Sequence, residues 1–158
     1  MTLQTETLAA PAPHGVTVAA SYSDLLERVR YEGAYPTRER AEEVVHSVLA
    51  ALGRQIVGDE RVDLAALLPT EAALVLTAQV PAVTPLTGWE FVKDLAQRTG
   101  GTPATARWNV GAVLAAVSRL AGPELVDRVI SRLPSGYALL FGKAELHQPW
   151  RGSGASST

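Results

Sequence analysis

The strongest chemical candidate in this sequence is the run Glu39, Glu42, Glu43 and His46. Glu43 and His46 stand three apart, the spacing by which di-iron carboxylate bundles offer a Glu and a His from one helical turn. Such a centre needs a second Glu-x-x-His and further carboxylates from facing helices. The chain resembles itself 65 residues further on, and there Glu43 corresponds to Trp108 and His46 to Gly111. The partner half is missing. The apolar residues of the same stretch, Ala41, Val45, Val48 and Leu52, mark a different face. The Glu/His set therefore reads as a solvated helix face with weak i, i+4 pairing, and no metal site is expected.

Other chemistries find less support. There is no cysteine, so neither a disulfide framework nor a thiolate site is available. No phosphate-cradling glycine loop and no nucleophile elbow occur, and Gly152-Ser153-Gly154 is tail composition rather than a turn on a sheet. The histidines are His14, His46 and His147, and two of them lie in segments with no sustained periodicity. A Ser or Thr nucleophile would need a positioned base, which these do not supply. We expect no enzyme and no cofactor. Net charge is −2, which gives no general attraction to nucleic acid or an anionic membrane. Residues 1–82 carry −5 and residues 83–158 carry +3, an asymmetry by which the two halves can attract one another. Arg98, Arg107, Arg119, Arg128 and Arg132 supply the positive side without a basic cluster, so no nucleic-acid binding is expected. The N-terminus lacks a basic start and a compact apolar run and contains Glu6. The longest uncharged stretch, Ala72 to Trp89, holds Pro81 and Pro85, which argues against a membrane-spanning helix. The expected location is the cytoplasm.

The elements that position these residues are helical. Val48-Leu49-Ala50-Ala51-Leu52 returns as Val113-Leu114-Ala115-Ala116-Val117, Leu68-Pro69 as Leu133-Pro134, and Ala73-Leu74 with Leu76 as Ala138-Leu139 with Phe141, all at 65 residues. Leu25-Leu26-Glu27-Arg28-Val29 and Phe91-Val92-Lys93-Asp94-Leu95 match at 66. A repeat of this length fixes architecture before any single residue does. Apolar spacing and capping residues predict helices over about 22–32, from after Pro36-Thr37 to Leu52, 60–68, 69–79, 88–98, 103–121, 123–132 and Pro134 to Phe141. Gly53 is expected to end the second in a left-handed conformation. The predicted fold is all-α, a helical bundle built from two quasi-equivalent four-helix repeats. Residues 1–20 read as a flexible arm, 21–146 as one domain (repeats at about 21–80 and 87–142), and 147–158 as a flexible tail. Trp89, Tyr137 and Phe141 fall on predicted core stripes, and Tyr35 is expected over Pro36.

These features resemble the bacterial DUF2267 family of uncharacterised proteins. The likeness is carried by Leu25-Leu26-Glu27-Arg28-Val29, by Glu39-Arg40-Ala41-Glu42-Glu43 running into Val48-Leu49-Ala50-Ala51-Leu52, and by the Leu-Pro endings at Leu68-Pro69 and Leu133-Pro134. It covers about residues 21–142. It implies an all-helical domain and no activity. The second repeat departs most at Ala106-Arg107-Trp108-Asn109-Val110-Gly111, where the acidic character of Glu39, Glu42 and Glu43 is absent.

That departure singles out the sixth helix. Val110, Val113, Leu114 and Val117 lie on one side, and Trp108, Gly111, Ala112 and Ala115 on the other. A helix apolar nearly all round is buried on both sides or recruits something. Trp108, Gly111, Ala112 and Ala115 are accordingly the candidate interface, with Trp108 as anchor and the small residues admitting another backbone. The expected function is a non-enzymatic protein-binding or scaffolding domain, its partner another protein or a second copy. The alternative is small-ligand or lipid binding between the two helical units, whose sign would be an enclosed apolar cavity of ~300 Å³ or more. Trp150, in His147-Gln148-Pro149-Trp150-Arg151, either folds back onto the body or serves as a short linear contact.

Overall fold

A computed structural model describes residues 21–143. Among them are eight helices and no strands: α1 Tyr22–Gly33, α2 Arg38–Gly53, α3 Gly58–Leu67, α4 Thr70–Thr77, α5 Gly88–Thr99, α6 Pro103–Ala121, α7 Pro123–Arg132 and α8 Tyr137–Leu140. The flexible arm and the far tail of the sequence reading lie outside these residues.

Four helices start where a hydroxyl can satisfy an orphan backbone donor. Ser21 accepts from Asp24 N, Thr37 from Arg40 N and Thr102 from Thr105 N, at 3.0–3.1 Å. Thr87 and Glu90 form a reciprocal capping box. The ends are less uniform. Gly100 closes α5 in the left-handed region, but at the end of α1 that role falls to Ala34, at φ 55°. Gly53 does not close α2 in this way. It is the last helical residue, and a Cβ there would strike the Leu76 carbonyl, so it is small because α4 crosses it. The eighth helix is also shorter than expected. Its predicted first turn, from Pro134, is occupied by a bend around Gly136 at φ 99°.

The core is continuous across all eight elements except for their outer faces. α6 is its centre, with Val110, Val113, Leu114 and Val117 fully buried. It packs against α1, α2, α5, α7 and α8, which accounts for its near-uniform apolarity. Burying each such side chain contributes roughly 1.5–3 kcal/mol. Tyr137 meets Phe91 edge-on, with ring centroids 5.5 Å apart, and donates its hydroxyl to Leu86 O at 2.9 Å. Phe141 is buried as expected, but Trp89 is 61% exposed. The buried stripe of α5 is Gly88, Phe91, Val92, Leu95 and Ala96. Trp89 lies just beyond its edge, on the side of Lys93, whose ammonium sits 5.9 Å from the ring centroid.

The charge asymmetry has a structural place. Arg128 of α7 pairs with Asp63 at 2.9 Å and with Glu60 at 3.6 Å on α3, and Arg132 adds a second cation 3.6 Å from Glu60. The first-half carboxylates thus meet second-half guanidinium groups where α3 crosses α7.

Three tyrosines are embedded in this packing. Burial pushes the Tyr35 phenol up to about 12 and raises those of Tyr137 and Tyr22, Tyr22 also through its bond to Glu42. In the unfolded chain a phenol ionises near pH 10. A raised folded value means the stability is fully present below about pH 10 and is lost as pH climbs from 10 through 12. Alkaline titration followed by circular dichroism and phenolate absorbance is therefore expected to show helix loss together with phenolate appearance. Complete phenol ionisation with intact helices would contradict this burial.

Candidate functional site

The acidic face of α2 is built from exposed side chains that pair locally. Arg40 holds Glu43 at 2.9 Å. Tyr22 donates its hydroxyl to Glu42 Oε2 at 2.9 Å, and His46 Nε2 lies 3.2 Å from the same hydroxyl. His46 thus associates with Glu42, 3.9 Å away, rather than with Glu43 as the di-iron spacing would require. Among the described residues no group of three or more His, Asp or Glu is arranged to hold a metal ion. The set decorates a wet helix face.

The Trp108 region is different. The Trp108 indole N–H donates to Gly33 O at 2.9 Å, satisfying a carbonyl at the end of α1, while the residue remains 57% exposed. One position on, Asn109 Oδ1 accepts from the Tyr35 hydroxyl at 2.6 Å. Tyr35 is therefore directed at α6 and fills the space under Gly33, where a Cβ would strike its ring, instead of lying over Pro36. The start of α6 fastens the α1–α2 corner through two polar side chains. Neither contact was legible in the sequence, because each joins residues more than 70 positions apart.

Beside Trp108 runs a shallow groove of about 230 Å³ lined by Glu32, Arg107, Trp108, Gly111 and Ala112. A Cβ placed on Gly111 would meet only the tip of Arg107, at 3.2 Å, so no backbone of the described chain occupies the slot that Gly111 leaves. Ala115 is half-buried, and Ala112, at 6% exposure, belongs to the core and lends the groove only its floor. Arg107 Nη2 donates to Leu139 O at 3.4 Å, and the Leu139 side chain is 54% exposed. The candidate interface is thus one anchored aromatic, one open glycine slot and two alanines of unequal exposure. Because the slot is open, Gly111→Ala is expected to stabilise the protein by about 0.5–1 kcal/mol, as for an interior helical glycine with room for a methyl group. Urea denaturation checks this, and a loss of stability would mean that something covers the slot.

Two further spaces adjoin α6. A cavity of about 90 Å³ between α2, α5 and α6 is lined by Val44, Val48, Leu95 and Ala106 with Asn109 at its polar side. A groove of about 250 Å³ between α1 and α6 has Leu25, Ala116 and Leu120 as its apolar wall and Asp24, Arg28 and Arg119 at its rim. Among the described residues no helix is long and apolar enough to cross a membrane.

The sequence reading passed over one residue entirely. The Arg61 guanidinium donates to the carbonyls of Gly53, Ile56, Leu76, Thr77 and Gln79, gathering the C-terminal ends of α2 and α4. This is a structural clasp, since both terminal nitrogens donate to backbone.

A family model described as an uncharacterized conserved protein, DUF2267, matches residues 22–140 of the chain. No curated protein matches it.

Proposed function

We propose that this chain, which belongs to the DUF2267 family of uncharacterized conserved proteins, is a non-enzymatic protein-binding or scaffolding domain, with the Trp108 groove as its binding face. The observation that carries this reading is the open slot at Gly111 beside a half-exposed tryptophan whose ring is fixed by its own hydrogen bond. A fixed aromatic loses little conformational freedom when a partner covers it, which is why such residues anchor protein interfaces. The more enclosed space between the two halves, at about 90 Å³, is smaller than the ~300 Å³ that a small ligand usually needs, and the α1–α6 groove of about 250 Å³ lies open, which favours a protein partner over an enclosed ligand.

The architecture we read behind it is two quasi-equivalent four-helix units, about 21–80 and 87–142. The packing supports this. α1 meets α6 as α5 meets α2, α1 meets α2 as α5 meets α6, and α4 meets α2 as α8 meets α6. α3 meets α7, its own counterpart. The Trp108 groove is then the equivalent of the acidic face of α2, altered in the second unit.

The test is Trp108→Glu, with Trp89→Glu as a control at the other described exposed tryptophan. Trp108→Glu is expected to fold and to melt about 4 °C lower, the effect of about 1 kcal/mol for one lost hydrogen bond. It should lose whatever protein the parent chain captures from extract, while Trp89→Glu keeps it. Capture unaffected by Trp108→Glu, or a Trp108→Glu chain that does not fold, would sink the reading.

A further inference from the structure

The Trp108 groove has a counterpart on α2, and the two differ in charge. Arg107, Trp108, Gly111 and Ala112 line the first, together with Glu32 of α1. At the 65-residue interval these four α6 residues correspond to Glu42, Glu43, His46 and Ser47, which with Glu39 line an open depression. Each face also has an exposed leucine at the same interval. Leu74 is 63% exposed and lines, with Ala50 and Ala78, an open groove between α2 and α4 that His46 and Ser47 join to the acidic depression. Leu139 is 54% exposed, and its carbonyl accepts from Arg107. Both faces therefore leave apolar side chains uncovered.

Their charges are complementary. On the α2 face Arg40 pairs with Glu43, and Glu42 accepts from the Tyr22 hydroxyl. On the Trp108 face Glu32 is taken by Arg28 at 3.5 Å. Among the described residues neither Glu39 nor Arg107 has an ion-pair partner within its own chain. The faces lie at opposite ends of α1, whose 12 residues span about 18 Å: Tyr22 reaches Glu42, and Gly33 accepts from Trp108. One copy has both at once.

We propose that the partner of the Trp108 face is a second copy of this chain, which presents its Glu39, Glu42 and Leu74 face, so that copies join head to tail. The inference rests on the protein-binding reading of the Trp108 groove and names its occupant. Trp108 and Leu139 are the projections, the groove beside Ala50, Leu74 and Ala78 is the recess, and Arg107 meets the carboxylates of α2. Like against like fits less well. Two Trp108 faces would set two Arg107 groups in one interface whose Glu32 carboxylates are already paired, and two α2 faces would set carboxylate against carboxylate. A contact between two different surfaces leaves one of each free, so association continues past a pair into a ring or an open chain of copies.

The experiment is light scattering on the full-length chain at rising concentration. The parent is expected to gain mass beyond that of two chains by ~1 mM, and salt is expected to weaken the association. Leu74→Glu and Trp108→Glu should each stay monomeric with unchanged helical circular dichroism. Mixed in equal amounts they should form a species of two chains, because each supplies the face the other has lost. Should Trp108→Glu fail to fold, Arg107→Glu at an exposed position takes its place. A parent that is monomeric throughout overturns the proposal, as does a mixture that stays monomeric. A Leu74→Glu chain that still associates overturns it as well, since that marks contact between two Trp108 faces. A monomeric parent that captures a different protein through Trp108 overturns this inference alone and leaves the groove a binding face.

Discussion

Arg61→Ala is expected to lower the melting temperature by about 12 °C, equivalent to ~3 kcal/mol for a domain of this size. The magnitude follows from what the guanidinium leaves behind. The last carbonyls of a helix have no partner within it, and Arg61 serves those of α2 and α4 together with Ile56 O. Gly53, Ile56 and Leu76 are buried residues, so water cannot readily replace the donor. Arg61→Lys isolates geometry from charge. An ammonium carries three donors at one point and cannot span carbonyls of two helix ends, so it is expected to recover less than half of the loss. Thermal melts of the three proteins decide it. A lysine variant as stable as the parent would show that charge at the helix ends matters and the fork does not.

Gly88→Ala is expected to cost about 2–3 kcal/mol, the scale of overpacking in a closed interior. Gly88 N donates to Ser135 O at 2.8 Å, and a Cβ on Gly88 would stand 2.5 Å from the carbonyl carbon and oxygen of Gly136. The obstruction is backbone, so no side-chain rotation relieves it. Gly136 cannot withdraw easily either, because its φ of 99° already requires glycine. Urea titration of Gly88→Ala alongside Gly111→Ala gives opposite signs for the same chemical change. Equal signs would mean that helix propensity, and not the space beside each glycine, governs both sites.

What the sequence made legible was local. Ser21, Thr37, Thr87 and Thr102 each cap the helix that follows within three residues, and their helices begin where the side chains say. The stripes of α2 and α6 were readable for the same reason, since period and burial are properties of one segment. Trp89 was misjudged because one position at the edge of a stripe decides whether a ring faces the core or Lys93. Gly53 was read as a helix terminator because the crossing of α4 above it leaves no local trace. Arg61 was invisible, since its acceptors come from the end of α2, the α2–α3 link and the end of α4. At the candidate interface, composition revealed an unusual helix. That Trp108 is exposed, Ala112 covered and Gly111 open depends on where α1 and α8 lie.

Asp63 and Arg128 touch, and they are 65 residues apart, the interval at which the chain resembles itself. Two separate copies of one such unit, meeting about a twofold axis, would bring a residue on that axis against its own duplicate. Carboxylate would confront carboxylate there, or guanidinium confront guanidinium. A linked pair is free of that constraint, because the two sides of the contact are encoded separately. At this crossing the opposite charges of Asp63 and Arg128 attract, where two like charges would repel.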